Sequence, residues 1–259
     1  MKRALVTGAG KRLGRAMALY LAGRGYDVAV HYSSSETEAQ EVVADIRAMG
    51  QRAVALQADV LREEQLERLL PQAREALGGP ITCLINNASI FEPDSVQTAT
   101  RSSWDRHFGS NLRAPFLLLQ AMAEQNLGAP ADANAEPLAS GLVVNMIDQR
   151  VRKLTPTYMT YTLAKSALWT LTQTAAQALA PAIRVNAIGP GPTLVGPRQE
   201  QAQFEQQRRS TVLKRGTNPT EICAALGYFL DAPAVTGQLI CVDGGQHLAW
   251  QTPDVAAEE

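Results

Sequence analysis

Tyr161 and Lys165 stand four residues apart in a stretch patterned as a helix, so their side chains share one face. An ammonium beside a phenol favours the phenolate and lowers its pKa, which suits the phenol to proton donation near neutral pH. Taken alone, the pair fits an exposed helix face equally well. A second constellation, Thr7-Gly8-Ala9-Gly10-Lys11-Arg12-Leu13-Gly14, follows an apolar run. Its glycines allow a tight turn, and the backbone amides that open the next helix can meet a pyrophosphate. The Gly-x-Gly-x-x-x-Gly spacing departs from the usual Gly-x-Gly-x-x-Gly fingerprint, and a plain strand-to-helix turn is the alternative.

In a dinucleotide site an acidic residue that grips the ribose 2′-hydroxyl ends the second strand, about 20 residues past the loop. The chain reads His31-Tyr32-Ser33-Ser34-Ser35 there, with no carboxylate before Glu36. With Lys11 and Arg12 near enough to face a phosphate, this favours NADPH over NADH. One of the serines is also placed to cap the helix that starts near Glu36.

Those residues require an alternating framework, and the sequence supplies one. Apolar runs at Ala4–Val6, Val28–Val30, Ala53–Leu56, Ile81–Ile85, Leu142–Val144, Ile183–Val185 and Leu239–Val242 read as seven strands. Helical stretches intervene at Arg12–Ala22, Glu36–Ala48, Glu63–Ala76, twice between Ser103 and Gln125, at Thr157–Ala180 and at Thr220–Leu230. The order predicts a single doubly wound α/β domain, a Rossmann-type fold with a seven-stranded parallel sheet flanked by helices. Asn126 to Gly141 reads as an irregular surface loop, and Pro192 to Gln207 has no assignable structure. Residues 1–250 form the expected catalytic domain and 251–259 a polar, acidic tail.

Composition narrows the function. The 259 residues are 46% apolar, enough for a sizeable core. Lys plus Arg total 24 against 25 Asp plus Glu, and no basic stripe offers a nucleic-acid surface. Cys83, Cys223 and Cys241 are scattered singly, as reduced core thiols of a cytoplasmic protein would be. His31, His107 and His247 are too dispersed for a zinc site, so no metal is expected. No run approaches the length of a membrane span, and no leader is expected before the first strand.

These features together resemble the short-chain dehydrogenase/reductase family over nearly the whole chain. The match runs in order through Thr7-Gly8 with Gly14, Asp59, Asn86-Asn87-Ala88, Asn111, Tyr161 with Lys165, Pro190-Gly191 and Asp243-Gly244-Gly245. The resemblance implies Asp59 against the adenine, Asn87 and Ala88 along the cofactor, Lys165 on the nicotinamide ribose and Asn111 holding a water in a proton relay. It also implies cofactor contacts from His31 to Ser35, Ser89 and Thr193, and a homotetramer. The apolar stretches Ala114–Ala123 and Ala164–Ala180 carry more apolar positions than one core-facing stripe needs, which agrees with self-association.

Two departures narrow the resemblance. Asp148 stands thirteen residues before the tyrosine, where most members carry serine, and Arg12 replaces the middle glycine. Both occur in the pteridine reductases, which are similar also in His31-Tyr32, Asn87-Ala88-Ser89-Ile90-Phe91 and Asn145-Met146-Ile147-Asp148. The resemblance implies a pterin stacked on Phe91, with Arg12 and Ser89 reaching pterin or phosphate atoms. An ionised Asp148 would raise the Tyr161 pKa and handicap ketone reduction. A carboxylic acid sharing a proton with the phenol suits hydride addition to C=N, where the nitrogen must be protonated. The expectation is an NADPH-dependent pterin reductase in which Asp148 and Tyr161 supply the proton. A carbonyl reductase acting on a ketone or acyl carrier thioester is the enzymatic alternative, and a non-catalytic NADPH sensor the other.

Overall fold

Strands β1 (Lys2–Val6), β2 (Tyr26–Tyr32), β3 (Ala53–Gln57), β4 (Cys83–Asn86), β5 (Gly141–Met146), β6 (Ile183–Pro190) and β7 (Leu239–Val242) pair in parallel in the order β3-β2-β1-β4-β5-β6-β7. This architecture comes from a computed structural model that describes residues 2–196 and 198–250. Alternate strand residues feed two cores. Ala4, Val6, Val28, Val30, Cys83, Ile85, Leu142 and Val144 meet α1 (Arg12–Gly23), α2 (Glu36–Ala48) and α8 (Pro219–Asp231) on one face. Leu5, Ala29, Leu84, Val143 and Val185 meet α3 (Glu63–Leu77), α5 (Ala114–Glu124) and α6 (Met159–Leu179) on the other. Coverage on both faces is why these strands are apolar throughout rather than alternating. The three cysteines are free thiols, Cys83 and Cys223 buried and Cys241 half-buried.

The strand order reverses beside β1, whose neighbours are β2 and β4. A crevice therefore opens beyond their carboxyl ends, the usual place for a ligand in an open α/β sheet. The strand expected at Ile81–Ile85 runs from Cys83: Thr82 still bonds Arg3 and Leu142 through its main chain at 2.9 Å, but both main-chain groups of Ile81 go to the Gln125 side chain. The stretch between Ser103 and Gln125 folds as α4 (Arg101–Phe108), a π-helical turn (Gly109–Arg113) and α5. Residues 126–140 form the expected loop, with one isolated bridge between Ala131 and Pro137. Helix α7 (Gln201–Arg209) was not legible, since it buries only Phe204 and so carries no apolar stripe. The 251–259 tail lies outside the described residues. No helix among the described residues is long and apolar enough to cross a membrane.

Candidate active site

The glycine-rich turn leaves β1 with Gly8 at φ 62° and enters α1 with Arg12 at φ 54°. Arg12 thus keeps the left-handed backbone that glycine adopts freely, a conformation costing about 1 kcal/mol or more for other residues. Its guanidinium is held across the crevice by the carbonyls of Val195 (2.8 Å) and Leu194 (3.2 Å). Gly14 is required by packing: a Cβ there would lie 2.1 Å from the Gly8 carbonyl oxygen. Helix α1 has no side-chain N-cap and no acid in its first turn, so its leading amides fit a pyrophosphate.

Several residues expected at the cofactor also brace this turn. His31 is buried; its Nδ1 accepts from the Gly8 amide at 2.9 Å and its Nε2 donates to the Ala58 carbonyl at 3.0 Å. Burial pushes its pKa down to about 4, so the ring is neutral. The Tyr32 ring packs in the core. Asn87 donates to the carbonyls of Thr7 (2.8 Å) and Gly8 (3.1 Å), while the Thr7 hydroxyl receives the amides of Asn87 and Ala88, both at 2.9 Å. Thr193 is buried and donates to the Gly191 carbonyl at 2.9 Å, and Gly191 is forced by the Asp243 backbone, 2.6 Å from where a Cβ would stand. Pro190 ends β6 beside them.

Lys11 is paired with Glu38 at 2.5 Å. Ser35 occupies the N-cap position of α2 without making the expected side-chain cap. Ser33 and Ser34 are exposed, and Ser33 shares a polar cavity of about 400 Å³ with Asp59, Gln57, Gln65, Arg68 and Gln72. Of that set only Ser33 and Asp59 were read from the sequence. Asp59 accepts the Leu61 amide at 3.0 Å, and Leu13 packs against the core under α1.

At the ends of β4 and β5 the chemistry-bearing groups converge. Tyr161, in the first turn of α6, donates from Oη to the Asp148 Oδ2 at 3.0 Å. Burial raises the Asp148 pKa, against the Arg150 amide and the charges of Arg150 and Lys165. Burial and the adjoining Asp148 push the Tyr161 hydroxyl well above its ordinary value, with Arg150 and the Ser89 hydroxyl pulling it partly back. The anticipated lowering by Lys165 does not occur: its Nζ donates to the Met146 carbonyl at 2.7 Å and lies 5.7 Å from the Tyr161 ring centre. Burial lowers Lys165 itself to about 8. The pair can therefore hold one shared proton, which neither group gives up readily.

Asn111, fully buried in the π-helical turn, spends its amide on the main chain of Ile90: Nδ2 donates to the carbonyl at 2.8 Å and Oδ1 accepts the amide at 3.2 Å. It thereby fixes the loop that carries Ser89 and Phe91. Phe91 is 45% exposed but not bare; Tyr158 stacks on it at 4.2 Å and 3°, and Tyr161 meets it edgewise at 4.7 Å. Tyr158 has a left-handed backbone, φ 55°, at the N-cap of α6. Sequence reasoning missed this ring, and also a buried chain of polar groups behind it. The Glu92 amide donates to the His107 Nε2 at 3.1 Å, which leaves Nδ1–H to donate to the Thr160 Oγ1 at 2.6 Å. The Thr160 hydroxyl and amide in turn donate to Asp94. The chain clamps the Phe91 loop to the start of α6.

A family model described as enoyl-(acyl carrier protein) reductase matches residues 8–247. Among solved structures, FolM alternative dihydrofolate reductase 1 from Brucella suis, in complex with NADP, is 44% identical; the match covers 98% of each chain with a TM-score of 0.90. The corresponding Brucella canis protein, also complexed with NADP, is 44% identical with a TM-score of 0.89 and covers 98% of this chain and 97% of that one. A 3-oxoacyl-[acyl-carrier-protein] reductase FabG from Staphylococcus epidermidis is 30% identical across 95% of this chain and 99% of its own length.

Proposed function

The chain belongs to the short-chain dehydrogenase/reductase family, and within it we propose that it is an NADPH-dependent reductase of pterins, either a dihydropterin or dihydrofolate. The observation that carries this reading is the Asp148–Tyr161 hydrogen bond beside the Phe91 ring. The 44% identity to FolM proteins supports it, and the 30% identity to FabG favours carbonyl reduction as the second reading.

The turn Gly8–Gly14, with Lys11, Arg12 and Leu13, is the pyrophosphate end of the site. Ser33, Ser34 and Ser35 face the 2′-phosphate, Asp59 faces the adenine, and Asn87, Ala88, Ser89, Pro190, Gly191 and Thr193 line the remainder through their backbone. His31 and Tyr32 shape this end from beneath. When bound, the reduced nicotinamide supplies hydride. The protein's part is to bind, orient and protonate. Phe91, Ser89 and Arg12 hold the flat ring, and Tyr161 Oη gives a proton to the nitrogen of the reduced C=N bond. That proton is the one Tyr161 shares with Asp148, and solvent resupplies the pair. Lys165 orients the nicotinamide ribose, and Asn111 holds the Ile90 loop and completes the relay.

The same reading takes residues 1–250 as one catalytic domain of a cytoplasmic homotetramer. Self-association is supported by Trp104, Phe116 and Leu163, all exposed, two of which border a cavity of about 400 Å³ with Phe108, Leu112 and Leu171. The deciding assay follows NADPH oxidation with dihydropterins, dihydrofolate, small ketones and an acetoacetyl thioester side by side. Turnover of the ketone or thioester with every pterin untouched replaces the first reading by the second.

A further inference from the structure

Arg150 lies between the proton-donating pair and the stacked rings of Phe91 and Tyr158. Its amide donates to the Asp148 Oδ1 at 2.9 Å, and its guanidinium carbon is 4.9 Å from the Tyr158 ring centre and 5.9 Å from that of Phe91. One end of the guanidinium is fixed, Nη1 donating to the Thr155 Oγ1 at 2.8 Å. Beside the same loop Arg106 pairs with Glu92 at 2.8 Å, while Arg12 and Arg152 donate to main-chain carbonyls. Arg150 pairs with no carboxylate among the described residues, although it is half-buried and held in place by two stacked rings.

A planar cation held this way has N–H donors left over in the fork geometry that fits a carboxylate with two parallel hydrogen bonds. Its charge bears on Asp148 without an ion pair, so the unused N–H groups can complete their hydrogen bonds on a ligand. We infer that Arg150 is an anion subsite for the substrate: it takes the carboxylate of a side chain attached to the flat ring that lies against Phe91. The inference rests on the pterin reading above and sharpens it. The preferred substrate is a pterin with an anionic tail, of which dihydrofolate is the example, over one with a neutral polyol side chain. Tyr158 is the second wall of the subsite, since it supports the guanidinium from one side and Phe91 from the other.

The test compares KM for dihydrofolate with KM for dihydrobiopterin at saturating NADPH, in the wild type, Arg150→Met and Arg150→Lys. Arg150→Met is expected to raise the ratio of the two KM values tenfold or more, and Arg150→Lys, which keeps the charge but not the fork, to raise it by less. In the unaltered enzyme, added salt is expected to raise KM for dihydrofolate and not for dihydrobiopterin, a readout that does not depend on the variants folding. A ratio unchanged within twofold, with dihydrofolate turnover insensitive to salt, overturns the subsite while leaving pterin reduction standing. A fall in kcat and a displaced pH profile shared by both substrates overturns it too, because Arg150 would then serve the Asp148–Tyr161 pair alone. If the wild type reduces neither pterin, the function and the subsite fall together.

Discussion

At the glycine-rich end of the crevice Thr7, His31 and Asn87 spend their polar atoms on the protein's own main chain, whereas at the far end the Tyr161 hydroxyl and the Asp148 carboxyl meet side chain to side chain. The nucleotide end offers a ligand mostly backbone amides, shaped from below by side chains. The reaction end offers the side chains themselves. Substitutions at the two ends should therefore fail differently, the first through the integrity of the turn and the second through turnover.

The largest effect is expected at the reaction end. Tyr161→Phe should lower kcat by roughly a hundredfold or more, the scale of a lost general acid, with NADPH affinity changed little. In the unaltered enzyme pterin reduction should decline as pH rises, because the proton shared by Asp148 and Tyr161 is lost, and Asp148→Ser should remove that carboxylate-dependent limb. Near-normal turnover by Tyr161→Phe in a stopped-flow NADPH oxidation trace would contradict the division between the two ends.

His31 tests the nucleotide end. Its pKa in the folded chain is about 4, below the ordinary value of 6.5, so between those limits the unfolded chain binds more protons. Stability is therefore complete above about pH 6.5 and falls as the pH drops toward 4, by something on the order of 3 kcal/mol. His31→Gln, which keeps an acceptor for Gly8 and a donor for Ala58, should lose that part of the acid sensitivity in urea unfolding curves. Identical pH dependence in both proteins would show that the ring carries no such burden.

The smallest effect concerns the surface. Glu38 holds Lys11 in an exposed pair that water screens, so the pair is weak. Releasing Lys11 by Glu38→Gln should tighten NADPH two- to fivefold in a fluorescence titration and leave NADH unaffected. Equal gains for both nucleotides would mean that Lys11 does not meet the 2′-phosphate.

The seven strands were readable because buried parallel strands are short apolar runs separated by helical periods. Asp148 was singled out with Tyr161 through the family resemblance, which sets them thirteen residues apart. Roles that depend on chain crossings were not. Thr160 meets Asp94 from 66 residues away and His107 from 53, and nothing local in the sequence marks either contact. Position along the chain likewise does not say which main-chain groups a side chain will hold: His31 reaches Gly8 and Ala58, Asn87 reaches Thr7 and Gly8, and Arg12 reaches Leu194 and Val195.

The π-helical turn between α4 and α5 has an implication for how this protein can change over generations. Such a turn holds one residue more than the α-helix around it needs. Deleting one residue from Gly109–Arg113 would let Arg101 to Glu124 run on as an unbroken helix with the faces on either side nearly unchanged in phase, because the wide turn already absorbs the surplus residue. Leu118 and Met122 would keep the core they share with α3, while Asn111 would lose the bulged position from which it reaches Ile90. Loss of a residue here should accordingly spare the fold and disturb the Ile90 loop, whereas the loop 126–140 should tolerate it without either effect. A one-residue deletion at Leu112 should leave soluble protein with impaired turnover, while one at Asn134 should leave turnover unchanged and the melting temperature within a few degrees of its original value.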